Sequence, residues 1–111
     1  GLQAYYRSHW NQMQIAEADE FDELYAPVVC VLAVAREPVT AEQLHQWTGK
    51  EVAKINRAIA QWREFLEVDS VDGLRRYRLY HTSFQDFLRE TVDLKRFHKL
   101  IARYYMQGRG K

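Results

Sequence analysis

Cysteine is almost missing from this 111-residue chain: Cys30 stands alone, so no disulfide can close within it. Small domains made in oxidising compartments usually reinforce a thin core with paired cysteines, so the scarcity points to a reducing, cytoplasmic home. Proline is as sparse, with only Pro27 and Pro38, and five glycines are too few for a collagen-like or low-complexity chain. Long apolar runs are lacking too. The longest, Ala26 to Ala35, is about half of what a membrane span needs. Nor is there an excess of one charge: 16 Lys and Arg face 15 Asp and Glu, a formal +1. Taken whole, that balance argues against a strongly nucleic-acid-binding or membrane-surface protein. The four His and single Cys fall at no metal-ligand spacing, so no metal is expected. There is no signal-peptide pattern and no initiator Met, which fits a piece excised from a longer protein.

What is present is large side chains. Hydrophobic residues make up 47% and aromatics 14%, enough to bury one modest core. Leu2, Tyr5, Tyr6, His9 and Met13 fall at helical spacing and predict a first amphipathic helix to about Ile15. Acidic residues at 17, 19, 20 and 22 suit the start of a second helix, whose stripe is Phe21, Leu24, Tyr25, Val28, Val29 and Leu32. Pro27 inside that stripe either kinks the helix or marks its first turn.

Thr40-Ala41-Glu42-Gln43 has the form of a capping box for a short helix ending at Gly49. Val52, Ile55, Ile59, Trp62 and Leu66 keep helical spacing after it, which makes a helix-turn-helix unit. From Phe65 the period becomes two. Leu66, Val68 and Ser70 alternate outward, Asp72-Gly73 supplies a hairpin turn, and Tyr77, Leu79 and His81 alternate on the return. The expected fold is therefore mainly α with a small β-hairpin wing: a winged helix with flanking helices. Thr82 or Ser83 can cap the following helix, with Gln85 or Asp86 at the box position; its Phe84, Phe87 and Leu88 read as core. Asp93 can cap a last helix carrying Leu94, Phe97, Ile101, Tyr104 and Tyr105, before a frayed basic tail from Gln107 to Lys111. The division expected is a linking helix over 1–18, a winged-helix domain over 19–92, and a C-terminal helix and tail over 93–111.

Three strings in this order resemble one family. Phe21 to Gly49, with Pro38-Val39-Thr40 and Leu44, is similar to the segment that follows the nucleotide-binding core of STAND-type signalling ATPases, the NACHT and apoptotic-ATPase-like proteins. His81-Thr82-Ser83-Phe84-Gln85-Asp86-Phe87-Leu88 resembles the His-x-Ser-Phe-x-Asp-Phe-Leu string at the end of the wing in these proteins. Phe97 to Tyr105 looks like the helix that leads toward their WD40 or other repeats. The resemblance implies a non-catalytic regulatory module that packs on an intramolecular NTPase core, with ADP or ATP and Mg held in the parent. It also implies a role for His81. In the plant and apoptotic branches the His of a Met-His-Asp motif contacts the β-phosphate of ADP, and His81 matches it by place, with Tyr80 for Met and Thr82 for Asp.

The residues themselves leave His81 open between two roles. At a strand–helix junction its ring and the free N–H groups of the next helix can meet one anion; a strand-end His satisfied by a backbone carbonyl serves as well. Ser83, His81 and Asp86 have triad composition but are too close in sequence, across a helix start, for nucleophile–base–orienter geometry. Thr48-Gly49-Lys50 glances at a phosphate loop, yet Leu44 and Glu51 stand where Gly and Ser/Thr are required. No catalytic residue is expected. The alternative is a DNA-binding winged helix with Lys50, Lys54 and Arg57 on the second helix and Arg75, Arg76 and Arg78 on the wing. Near-neutral charge disfavours it. Exposed Tyr5, Tyr6 or Trp10 could drive a weak dimer of an otherwise monomeric chain.

Overall fold

The computed structural model describes residues 1–108. Helix α1, Leu2–Ala16, buries Tyr6, Trp10 and Met13. The stripe is rotated from the one the spacing predicts: Leu2 and Tyr5 are exposed, and Trp10 lies inside. Trp10 turns inward because rings of other elements make its seat, with Phe21 edge-on at 4.9 Å and Trp62 at 5.8 Å. Tyr6 likewise sits 5.0 Å from Phe84, so of the three aromatics expected at the surface only Tyr5 is there.

After a turn at residues 17–20 the chain winds as a π-helix over Phe21–Tyr25 and passes directly into α2, Ala26–Val34. The Tyr25 N–H reaches back five residues to the Glu20 carbonyl at 3.1 Å. Pro27 follows in the first turn of α2; it has no N–H to give to the carbonyls of the π-turn before it, and the wider turn there makes room for its ring. The wider turn brings Phe21, Leu24 and Tyr25 all inside. Every residue from Val28 to Ala33 is buried, so α2 is apolar all round and is the axis of the molecule. It packs on the π-turn, α3 (Ala41–Thr48), α4 (Val52–Trp62), α5 (Thr82–Thr91), α6 (Lys95–Met106) and strand β2 (Leu74–Leu79).

The capping box forms as spelled. Thr40 Oγ1 accepts from the Gln43 N–H at 3.1 Å, and Gln43 Oε1 from the Thr40 N–H at 2.9 Å. Gly49 ends α3 with φ +77°, a left-handed stop that strains any residue bearing a Cβ. Helix α4 closes earlier than its apolar spacing implies. Arg63–Phe65 tighten into a 3₁₀ turn, and Leu66 opens β1, Leu66–Val71. β1 and β2 pair antiparallel, Leu66 opposite Leu79 and Val71 opposite Leu74. Asp72 and Gly73 both take positive φ, as a two-residue hairpin turn requires.

The alternation in the sequence did not announce one further pairing. Val39, between α2 and α3, bridges Tyr77 with N–H···O bonds of 2.9 and 2.7 Å in both directions.

The start of α5 corrects an expectation. His81 is the N-cap, without a side-chain cap, and Thr82 and Ser83 lie inside the first turn. Their expected capping groups serve other elements. Ser83 Oγ meets Tyr6 Oη of α1 at 2.7 Å, and Gln85 Nε2 donates to the Ala33 carbonyl of α2 at 2.5 Å. Phe84, Phe87 and Leu88 are core. Asp93 does accept the Lys95 N–H at 3.1 Å, and α6 buries Phe97 while Tyr105 stays exposed. One hydrophobic core runs from Tyr6 of α1 to Phe97 of α6. Gln107 and Gly108 turn after α6; the rest of the expected basic tail lies outside the described residues. No helix among the described residues is long and apolar enough to cross a membrane.

Candidate functional site

β2 ends at Leu79, and the Tyr80 N–H donates to the Phe65 carbonyl at 2.8 Å, which pins the chain as it leaves the hairpin. His81 comes next with extended backbone, so its side chain leaves the sheet at the mouth of α5. Its carbonyl accepts from the Phe84 and Gln85 N–H groups at 3.2 and 3.5 Å, whereas its imidazole is exposed and packs edge-on against Tyr80 at 4.3 Å. Among the described residues no hydrogen bond reaches that imidazole. The strand-end role, with the ring satisfied by a carbonyl, is therefore not what the geometry shows.

His81 lines a surface groove of about 400 Å³ between the hairpin exit and the loop after α2. Arg36, Glu37, Arg78 and Gln85 line it too. Arg36 is exposed and in no ion pair among the described residues. Arg78 is held by Glu67 across the hairpin, Nε to Oε1 at 2.7 Å, so its charge is largely offset. No side-chain hydrogen bond caps the first turn of α5, so the partial positive charge of that helix end adds to the charge of Arg36 beside the His81 imidazole. Against them stands only Glu37. The arrangement suits an anion. Sequence reasoning missed Arg36, because it is distant in the chain and only the packing of α2 against β2 carries it here.

Of the six cations singled out for DNA, three are held by carboxylates. Arg57 is bound by Glu20 through two bonds of 2.7 and 2.6 Å and donates to Tyr25 Oη at 3.3 Å. The Tyr25 hydroxyl and the Glu20 carboxylate hold its guanidinium above the usual arginine range. Arg76 pairs with Asp69 at 3.0 Å, and Arg78 with Glu67. Lys50 is half-buried at the foot of α4, its carbonyl contacting His45 Nδ1 at 2.6 Å. Only Lys54 and Arg75 are exposed and outside ion pairs among the described residues.

The remaining chemistry-bearing groups are engaged elsewhere. Ser83 is spent on Tyr6, and Asp86 on Arg89 at 2.8 Å. The Thr48 hydroxyl donates to the Leu44 carbonyl at 2.6 Å and accepts the Lys50 N–H, so Thr48-Gly49-Lys50 closes a helix end. Burial pushes the Cys30 thiol up to about 12. Among the described residues no three His, Cys, Asp or Glu side chains converge. No family model, curated protein or solved structure matches the chain.

Proposed function

We propose that the chain is the winged-helix regulatory module of a STAND-type signalling ATPase, packing on the nucleotide-binding core of its parent and coupling ADP or ATP state to activation. The order of elements supports the winged helix: α2, the short strand at Val39, α3, α4, then the β1–β2 wing. The observation that carries the functional reading is the exposed His81 imidazole beside Arg36 at the uncapped start of α5. These groups fit the phosphates of a nucleoside diphosphate. They do not fit the accompanying magnesium, since Glu37 is the one carboxylate lining the groove, so the core would hold the metal.

ADP holds such a switch only by binding the closed arrangement better than the open one. Moving a two-state equilibrium from one extreme to the other takes about 5.5 kcal/mol of differential affinity. A charge-assisted hydrogen bond from His81 supplies about 1.5–3 kcal/mol of that, the core contacts the rest. In the full-length parent, His81→Ala is expected to speed ADP loss and raise spontaneous activation. Unchanged nucleotide retention and activity would remove His81 from the mechanism. The 111-residue chain by itself is expected to bind nucleotide weakly or not at all.

DNA binding is the second reading, favoured by the order of elements and by Lys54 and Arg75. Fluorescence anisotropy with random duplex DNA across a salt series separates the two. With Arg57, Arg76 and Arg78 neutralised by neighbours, we expect no binding at physiological salt. Micromolar binding with a steep salt slope would reverse the preference.

A further inference from the structure

One side of the hairpin has no neighbour. Where the strands meet, the Tyr80 N–H donates to the Phe65 carbonyl, so that pair bonds across the hairpin. Three residues on, Tyr77 turns both its N–H and its C=O to Val39 instead. Val68, opposite Tyr77, must then turn its own N–H and C=O the other way, and Ser70 does the same two residues later. Among the described residues no hydrogen bond reaches these groups, and β2 is the one element packed closely on β1. Leu66 shares the open side, and its carbonyl takes the Arg63 guanidinium at 2.9 Å. No proline, lysine or bulge interrupts the strand.

The hairpin face that carries Val68, Arg75 and Tyr77 forms, with one side of α4, a groove of about 560 Å³. Its apolar lining is buried Ile59 and Tyr77 and half-buried Val68, and its charges are the exposed Arg63 and Arg75. No carboxylate lines it. Neither arginine forms an ion pair among the described residues. The acids beside these positions in sequence are turned elsewhere. Glu64 bonds the Tyr5 hydroxyl and lies 3.7 Å from His9, both on α1. Glu67 and Asp69 alternate to the opposite face of the hairpin, where Arg78 and Arg76 of β2 hold them.

We propose that β1 takes up an extended segment of a partner protein as an added antiparallel strand, with acidic, apolar and acidic side chains at alternate positions. Cross-strand partners share a face, so the side chain paired with Val68 points to the groove side and packs there. Its neighbours two places away lie opposite Leu66 and Ser70. The first is beside Arg63, and the second is on the face of Arg75, which Ser70 opposes across the hairpin. Both are the carboxylates. A phosphate backbone offers acceptors to two arginines but no donor for the Val68 and Ser70 carbonyls, whereas a peptide strand supplies donor and acceptor in turn. A second copy of this chain is disfavoured by its own acids. The antiparallel registers of β1 on β1 with most overlap set Glu67 opposite Asp69, or Asp69 opposite itself. The site is separate from His81 and does not depend on the nucleotide reading.

The test is an NMR titration of the 111-residue chain with a capped heptapeptide in which threonine alternates with glutamate, valine and glutamate. Saturable shifts at the Val68 and Ser70 amides are expected, with an affinity that salt weakens. N-methylation of the valine amide removes a donor aimed at Val68 and is expected to weaken binding about tenfold or more. The same change on a threonine amide beside it, which points to solvent, is expected to leave binding intact. Arg63→Glu and Arg75→Glu should each weaken it about fivefold or more, whereas Lys95→Glu on α6 leaves it unchanged. Circular dichroism checks that the variants fold, and Arg75, exposed and outside any ion pair, carries the test if Arg63→Glu disturbs its turn. Absence of saturable binding overturns the proposal, as does equal loss for the two methylated peptides or indifference to Arg75→Glu. Displacement of the peptide by duplex DNA of higher affinity would give the groove to phosphate, and a dimer that the peptide dissolves would give β1 to a second copy; either result overturns it too.

Discussion

Trp62 shows how much one side chain settles in this protein. It is fully buried, its ring meets Trp10, Phe65 and Phe84, and its Nε1 donates to the Tyr25 carbonyl at 2.7 Å. That one indole fixes α4 against the π-turn. Trp62→Phe removes the hydrogen bond and leaves a void, and we expect a loss of about 2–3 kcal/mol by urea denaturation. Cys30 makes a different point at the same scale. Desolvation raises its thiol from 9.0 to about 12. The unfolded chain releases this proton first as pH rises, so the contribution to stability is full below about pH 9 and is lost as pH climbs toward 12. The native thiol should resist alkylation at pH 8 and react as soon as denaturant opens the core; fast labelling without denaturant would contradict the burial.

Among the elements, α3 is the one whose ends are written most explicitly. Thr40 and Gln43 satisfy the first N–H groups, and Gly49 turns left-handed in open space, with nothing within 4 Å of where a Cβ would lie. Thr40→Ala is expected to cost about 1 kcal/mol. Gly49→Ala is expected to cost about 1–2 kcal/mol from backbone strain alone. In a thermal melt each kcal/mol should lower the midpoint by about 4–8 °C in a chain of this size. An unaltered melt for Gly49→Ala would mean that the turn relaxes to another conformation. Helix α5 follows other rules: its Ser83 and Gln85 side chains are used between elements, to α1 and α2, and of its first-turn N–H groups those of Thr82 and Ser83 are left for solvent or for an anion.

For the whole molecule the telling contact is that of α1 with the rest. Tyr6 inserts among Phe65, Phe84 and Phe87, with ring centroids 5.9, 5.0 and 5.9 Å away, and its hydroxyl meets Ser83. Arg7 covers the Phe87 ring from the same helix at 4.9 Å. Removal of α1 would uncover this aromatic cluster, so the helix is part of the folded unit. Tyr6→Ala should cost about 3–5 kcal/mol and make the turn at residues 17–20 the first site of limited proteolysis. Equal protease resistance of variant and wild type would show that the rings close without α1.

The sequence by itself determined the local devices: the capping box, the Gly49 stop, the Asp72-Gly73 turn, the inward faces of α4 and α5, and the order helix, turn, helix, hairpin. Each depends on backbone chemistry or side-chain period within a few residues, so no distant partner is needed to specify it. Tertiary structure decided what depends on partners far away in the chain. It rotated α1 to bury Trp10, shortened α4 at Trp62, spent Ser83 and Gln85 on other helices, and paired Val39 with Tyr77. It also brought Arg36 beside His81 while binding Arg57, Arg76 and Arg78 to carboxylates. The physical reason is common to all of these. Which face of a helix is dry, and which charge is left free, depends on what another segment places against it, and a period of 3.6 or 2 carries no record of that neighbour.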